Sequence, residues 1–144
     1  MLRYADSSFL VSCYVSNANA AQARTWLTHS GAHFYFTALH ELEMRNALRL
    51  GVFRGLYTTV EANLAWSNIT SDLRSGRLVK TRANWKLALW IAQRLSNRHS
   101  SILGTRSLDV LHIAVAKTLR VTEFVSFDNR QRALASAEGI SVAP

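Results

Sequence analysis

The stretch Arg106–Asn129, RSLDVLHIAVAKTLRVTEFVSFDN, constrains the fold of this chain more than any other. Leu108, Leu111, Ala114, Val115 and Leu119 recur at helical spacing behind Ser107, the expected N-cap, so a helix is predicted there. Phe124, Val125 and Phe127 then read as a short apolar strand that exits into Asp128. Helix, turn and buried strand in succession make up an α/β fold with a parallel sheet. In such folds the carboxyl ends of strands and the amino ends of helices share one edge. Asp109, in the first turn of the helix, and Asp128, at the strand exit, are therefore expected to meet on that edge.

The rest of the chain repeats the alternation. Leu2–Asp6 reads as a strand ending in an acid, with Ser7 and Ser8 expected to cap a helix through Val15. Ala20–Thr28 forms a second helix, with Ala23, Trp26 and Leu27 on its apolar side and Gly31 after it. Ala32–Phe36 is β-prone, and Thr37 caps a long third helix with a stripe of Leu39, Leu42, Ala47, Leu50 and Phe53. A fourth helix spans about Leu56–Leu73, and Leu78–Lys80 is a marginal third strand. Asn84–Asn97 is a strongly apolar helix with Trp85, Ala88, Leu89, Ala92 and Leu95 on one face. His99–Thr105 is expected to be a loop, Asn129–Ala137 a short helix and Ile140–Val142 an edge strand. Phe53, Tyr57, Leu64 and Trp66 give more apolar surface than a small sheet requires, so part of that region is expected in an interface.

A chain of 144 residues, 49% of them hydrophobic, is long enough for one substantial core, and a single domain over residues 1–144 is expected. No apolar run approaches the ~20 residues a membrane span needs, and Arg3, Asp6 and Tyr14 interrupt any leader-like start, so a soluble, cytoplasmic chain is expected. Cys13 is the lone cysteine, which excludes an internal disulfide and a structural zinc pattern. Seventeen Lys and Arg against nine Asp and Glu give a net charge of +8, which favours an anionic partner such as nucleic acid. The competing explanations are charge scattered for solubility or matched by an acidic protein.

Four acids fall on the predicted sheet edge. Asp6 and Asp128 end strands, while Glu43 and Asp109 lie near the starts of helices, where side chains lean toward the N-terminus. Each also has a structural use: acids in first turns favour the helix dipole, and Asp128 is a good N-cap. Glu41 lies about 200° around the helix from Glu43, so both cannot face the edge equally. Carboxylates gathered there repel one another unless a cation sits among them. An all-oxygen donor set suits a hard divalent ion, Mg²⁺ or Mn²⁺, which can promote attack on a phosphodiester. Among supporting residues, Ser8 follows Asp6, Ser126 points to the same side as Asp128, and His112 lies one turn after Asp109, where it orients that acid or serves as a core residue. Arg45, Arg49 and Arg106 are candidates for backbone phosphate contacts, or ordinary surface arginines.

YADSSFLV, ELEMRNAL, SLDVLHIAVA and FVSFDNR, in this order and spacing, resemble the PIN-domain ribonucleases of the VapC-like toxin family over nearly the whole chain. The resemblance maps the family's strand-one aspartate onto Asp6, its helix glutamate onto Glu43, its D-x-x-x-x-A aspartate onto Asp109 and its T/S-x-D aspartate onto Asp128, with Ser126 as the Thr or Ser. Glu43 is preferred to Glu41 because it sets Ala47 and Leu48 at the family's spacing. The resemblance implies a five-stranded parallel sheet in the order 3-2-1-4-5 flanked by helices, Mg²⁺- or Mn²⁺-dependent endoribonuclease activity, a homodimer, and inhibition by a cognate antitoxin that inserts a segment near the acids. Two other readings are a catalytically silent PIN-like module that binds RNA or protein, and a phosphoacceptor regulatory domain. The latter needs adjacent acids after the first strand, where this chain has Ser7 and Ser8.

Overall fold

The computed structural model describes residues 2–144. Its strands form a five-stranded parallel sheet in the order β3-β2-β1-β4-β5, flanked by helices, as the sequence led us to expect. The chain divides into two compact units, Met1–Thr81 and Arg82–Pro144.

The first unit contains β1 (Leu2–Ala5), α1 (Ser7–Tyr14), α2 (Ala20–Ser30), β2 (His33–Phe36), α3 (Ala38–Phe53), α4 (Thr59–Ser75) and β3 (Leu78–Lys80). Leu2 of β1 lies opposite His33, and Phe34 of β2 opposite Leu78. Tyr4, Phe9, Phe34, Phe36, Met44 and Ile69 are fully buried, each aromatic or large aliphatic side chain contributing roughly 1.5–3 kcal/mol by leaving water. α4 starts three residues later than expected, at a capping box in which Thr58 N–H donates to Glu61 Oε2 at 2.6 Å and Glu61 N–H to Thr58 Oγ1 at 3.2 Å.

Two details of this unit correct the sequence reading. Asp6, rather than Ser7 or Ser8, is the N-cap of α1, its carboxylate accepting from Phe9 N–H at 3.2 Å. The inward face of α3 is His40, Met44, Leu48 and Gly51 together with Leu39, whereas Leu42 and Phe53 are 67% and 87% exposed. Gly51 is part of that face because the Tyr57 ring lies over it, with the Tyr57 hydroxyl donating to Ala47 O at 3.1 Å.

The second unit contains α5 (Trp85–Leu95), a π-helical turn (Ser96–Ser100), α6 (Ser101–Leu103), α7 (Ser107–Thr118), β4 (Glu123–Val125), α8 (Asn129–Ala137) and β5 (Ser141–Ala143). Glu123 of β4 pairs with Ser141 of β5. Ile113, Ala114, Val115, Phe124, Val125 and Leu134 form its buried core. The expected loop over His99–Thr105 is instead largely helical as far as Leu103. It is held by Glu138, the C-cap of α8, which accepts from Lys117, from His99 Nε2 at 2.7 Å and from Arg98 at 3.0 Å. Burial acts to raise the Glu138 carboxyl, but the hydrogen bonds from Lys117 and His99 and the charges of Lys117 and Arg98 outweigh it and hold it below the usual range. On α5, Ala88, Ala92 and Leu95 are buried as expected, but Leu89 is about half exposed.

Candidate active site

In the first unit the sequence places an acid where β1 ends, and the chain turns directly into α1. Asp6 is buried and caps that helix, while the exposed Ser8 hydroxyl donates to its other carboxylate oxygen. One residue along, Ser7 Oγ donates to Glu43 Oε1 at 2.9 Å, which draws the second turn of α3 toward the start of α1. Tyr4, buried on β1, registers both acids: burial pushes its phenol far up, a Thr37 hydrogen bond opposes this, and the charges of Glu43 and Asp6 add to the rise. Asp6 and Glu43 are thus a pair of acids bonded by adjacent serines, both with charges that act on the same buried phenol.

Glu43 and Glu41 have different partners within this unit. Glu41 pairs with Arg45 at 3.1 Å and Lys80 at 3.8 Å, away from Ser7. His40, which sequence reasoning passed over, fixes the turn that delivers Glu43. The Thr37 N–H donates to its Nδ1 at 3.0 Å, so the ring proton is on Nε2, which donates to Ala5 O at 2.8 Å. That side chain ties the start of α3 to the last residue of β1.

In the second unit Asp109 is buried and reciprocates at the start of α7. Its Oδ2 accepts the backbone N–H of Arg106 at 2.8 Å, so the N-cap position is Arg106 and Ser107 is already helical. The Arg106 side chain also reaches Asp109 Oδ2, at 3.3 Å, and lies 3.7 Å from Asp128 Oδ2. Asp128 caps α8, its Oδ1 accepting from Arg130 and Gln131 N–H at 2.8 and 3.2 Å. Ser126 accepts the Asp128 N–H at 3.0 Å and donates to Gln131 Oε1 at 3.1 Å. Gln131 Nε2 in turn donates to Asp109 Oδ1 at 3.0 Å.

Ser126 therefore meets the Asp128 backbone directly and reaches the Asp109 carboxylate through Gln131. Gln131, like His40, is a residue that sequence reasoning missed. Its signal was a polar side chain one turn before Leu134 and Ala135, on the buried side of the last helix. Burial acts to raise the Asp109 carboxyl, but the Arg106 N–H, the Gln131 amide and the Arg106 guanidinium together hold it below its ordinary value. His112 is buried on α7 and is not among the partners of Asp109.

The other two arginines singled out in the sequence are engaged elsewhere. Arg45 lies over the Trp66 ring, 3.8 Å from its centroid, besides pairing with Glu41, and Arg49 donates to Asn63 Oδ1 at 3.2 Å. Among the described residues no group of three or more His, Cys, Asp and Glu side chains is arranged to hold a metal ion. The donors in each pair are carboxylate oxygens, chemistry that fits a hard divalent ion. In the second unit the Arg106 guanidinium supplies the neutralising charge between the two acids.

Comparison with known proteins agrees with this architecture. The chain is similar to the structure titled FitAcB from Neisseria gonorrhoeae, with a TM-score of 0.62 and 14% identity over 99% of this chain and 97% of that one, a likeness of fold. No curated protein matches it. The family profile described as PIN domain matches residues 3–137, which takes in both acid pairs. The chain belongs to the PIN domain family, whose members are generally nucleases.

Proposed function

We propose that the chain is a single PIN domain acting as a metal-dependent endoribonuclease, the toxin of a VapBC-type pair. The observation that carries this reading is the family match over residues 3–137, and the presence of Asp6, Glu43, Asp109 and Asp128 within it supports the reading. In this reading Asp6, Glu43, Asp109 and Asp128 act on one phosphodiester. A bound Mg²⁺ or Mn²⁺ would be held mainly by Asp6 and Asp109, with Glu43 and Asp128 as direct or water-mediated ligands, and would supply Lewis acidity toward the phosphate and its attacking water.

The chain's own residues prepare the site. Gln131 and Arg106 keep Asp109 ionised, Ser8 and the Phe9 N–H orient Asp6, and Ser7 orients Glu43. Arg106 must turn from the acids for an ion to take its place, and its guanidinium is then available to an RNA phosphate. In this reading no side-chain nucleophile takes part and water attacks in line, so the products carry a 5'-phosphate and a 3'-hydroxyl, whereas attack by the RNA's own 2'-hydroxyl would leave a cyclic phosphate. The net charge of +8 supports an RNA substrate, and a cognate antitoxin, a homodimer and a cytoplasmic setting follow from the family reading. No helix among the described residues is long and apolar enough to cross a membrane.

A second reading, a silent PIN-like module that binds RNA or protein, is favoured by one observation, the Arg106 guanidinium standing between Asp109 and Asp128. Incubation of the purified chain with structured RNAs, with and without Mn²⁺, separates the two. The nuclease cuts only with metal and leaves 5'-phosphate ends, and Asp109→Asn abolishes cutting with the fold retained. Cyclic-phosphate ends, or full cleavage in excess EDTA, would overturn the mechanism. No cleavage of any RNA would favour the silent module.

A further inference from the structure

α5 presents an outward face that neither acid pair uses. Lys86, Trp90 and Arg94 recur every four residues, so they lie within an 80° strip and span ~12 Å of helix. All three are exposed, Trp90 by 55%, and the Arg94 guanidinium sits over the Trp90 ring at 4.8 Å from its centroid. Arg82 stands exposed in the segment just before the helix. Between Arg82 and Leu108 the chain has no Asp or Glu. Within that span Arg98 is matched by Glu138 and Arg106 by Asp109, while Arg82, Lys86 and Arg94 make no ion pair among the described residues. An exposed indole with cations on either side is what single-stranded nucleic acid requires: a planar face for a base and charge for the backbone.

We propose that the outward face of α5 is a binding track for single-stranded RNA, with Trp90 as the base-stacking platform and Lys86, Arg94 and Arg82 as phosphate contacts. The proposal rests on the ribonuclease reading for its choice of RNA, but the track is a binding site distinct from the acids. Leu87 and Leu89 are also exposed on this helix, so a second copy of the chain is the competing occupant. Charge decides against it. Two copies pressed together here would set Lys86 and Arg94 against their own equivalents with no acid in the segment to separate them.

The test is the affinity of the full chain for a fluorescein-labelled single-stranded RNA, read by anisotropy in EDTA so that cleavage plays no part. Trp90→Ala is expected to weaken binding about tenfold or more, and Trp90→Phe to restore most of it, since stacking on an aromatic face does not depend on the indole nitrogen. Lys86→Ala combined with Arg94→Ala is expected to lower the slope of log affinity against log salt by ~1.4, two single-strand contacts at ~0.7 each. Unchanged affinity and slope in both variants would overturn the proposal. So would a wild-type dimer that Trp90→Ala splits while the affinity per chain stays the same, which would make this face the subunit contact. Loss of metal-dependent cleavage with the track intact would refute the nuclease reading alone.

Discussion

At the scale of the residue, Gln131 carries more than its place in the sequence suggests. Its amide accepts from Ser126 and donates to Asp109, so it is the link by which the end of β4 steadies the start of α7. Replacement by leucine keeps most of the volume but leaves a buried carboxylate oxygen without its donor, a loss of about 1–3 kcal/mol. The same change has a pH signature. Asp109 titrates below its ordinary value of 3.8 in the folded chain, so its contribution to stability is fully present above that pH and is lost as pH falls through the folded value. Gln131→Leu removes one of the bonds that lower it, and the acid limb of unfolding is expected to move to higher pH. Asp109→Asn is expected to flatten that limb. Thermal unfolding from about pH 2 to 6 reads both, and an acid limb that does not change in either variant would contradict the role given to the amide. Asp6, Asp109 and Asp128 were legible because strand-end and helix-start acids carry a positional signal. Gln131 and His40 were not, since their importance lies in which backbone groups they meet across the fold.

At the scale of the element, α3 shows what periodicity conveys and what it leaves open. The helix and both its ends were readable from Thr37 and the apolar repeat, and most other elements were placed within a few residues. The inward face was not readable, because Leu42, Leu50 and Phe53 repeat as regularly as His40, Met44, Leu48 and Gly51. Leucines drew the reading outward, whereas a histidine and a glycine are inside. The glycine has a reason: a Cβ at position 51 would come within 2.1 Å of the Tyr57 ring. Gly51→Ala must therefore displace that ring, breaking its bond to Ala47 O and costing about 1–3 kcal/mol, partly offset by the roughly 1 kcal/mol that alanine gains over glycine in a helix. In a Tyr57→Ala background the sign should reverse, and Gly51→Ala should stabilise by about 1 kcal/mol. Chemical denaturation of the four chains closes this cycle, and destabilisation of equal size in both backgrounds would refute the contact as its cause. The helical run from Ser96 to Leu103 was hidden for another reason, since Glu138, far away in sequence, gathers Arg98 and His99 and overrides the low local propensity of SNRHSS.

For the whole molecule, the surface divides by composition. The α5 face is cationic without acids, whereas the exposed apolar side chains of α3 and α4, among them Phe53, Val60 and Leu64, are accompanied by Glu41 and Glu61 as well as Arg45 and Arg49. A mixed-sign, apolar surface suits a protein partner, and the proposed homodimer is placed there. Trp66 and Tyr57, grouped with Phe53 and Leu64 in the sequence, are engaged within the first unit by Arg45 and Gly51. Phe53→Ser with Leu64→Ser is expected to shift sedimentation toward the monomer while leaving the unfolding midpoint within a few degrees, because neither side chain is buried. A wild-type chain that is monomeric at every concentration would remove this expectation. The three aspartates of the proposed site have a longer consequence. Each also satisfies backbone donors at the start of a helix, Asp6 for α1, Asp109 for α7 and Asp128 for α8. At the two N-cap positions, Asp6 and Asp128, asparagine performs that service about as well, and its codons differ from those of aspartate by a single base. A lineage descending from such a chain can therefore lose its chemistry in one mutational step and still inherit a folded scaffold free to take up other work.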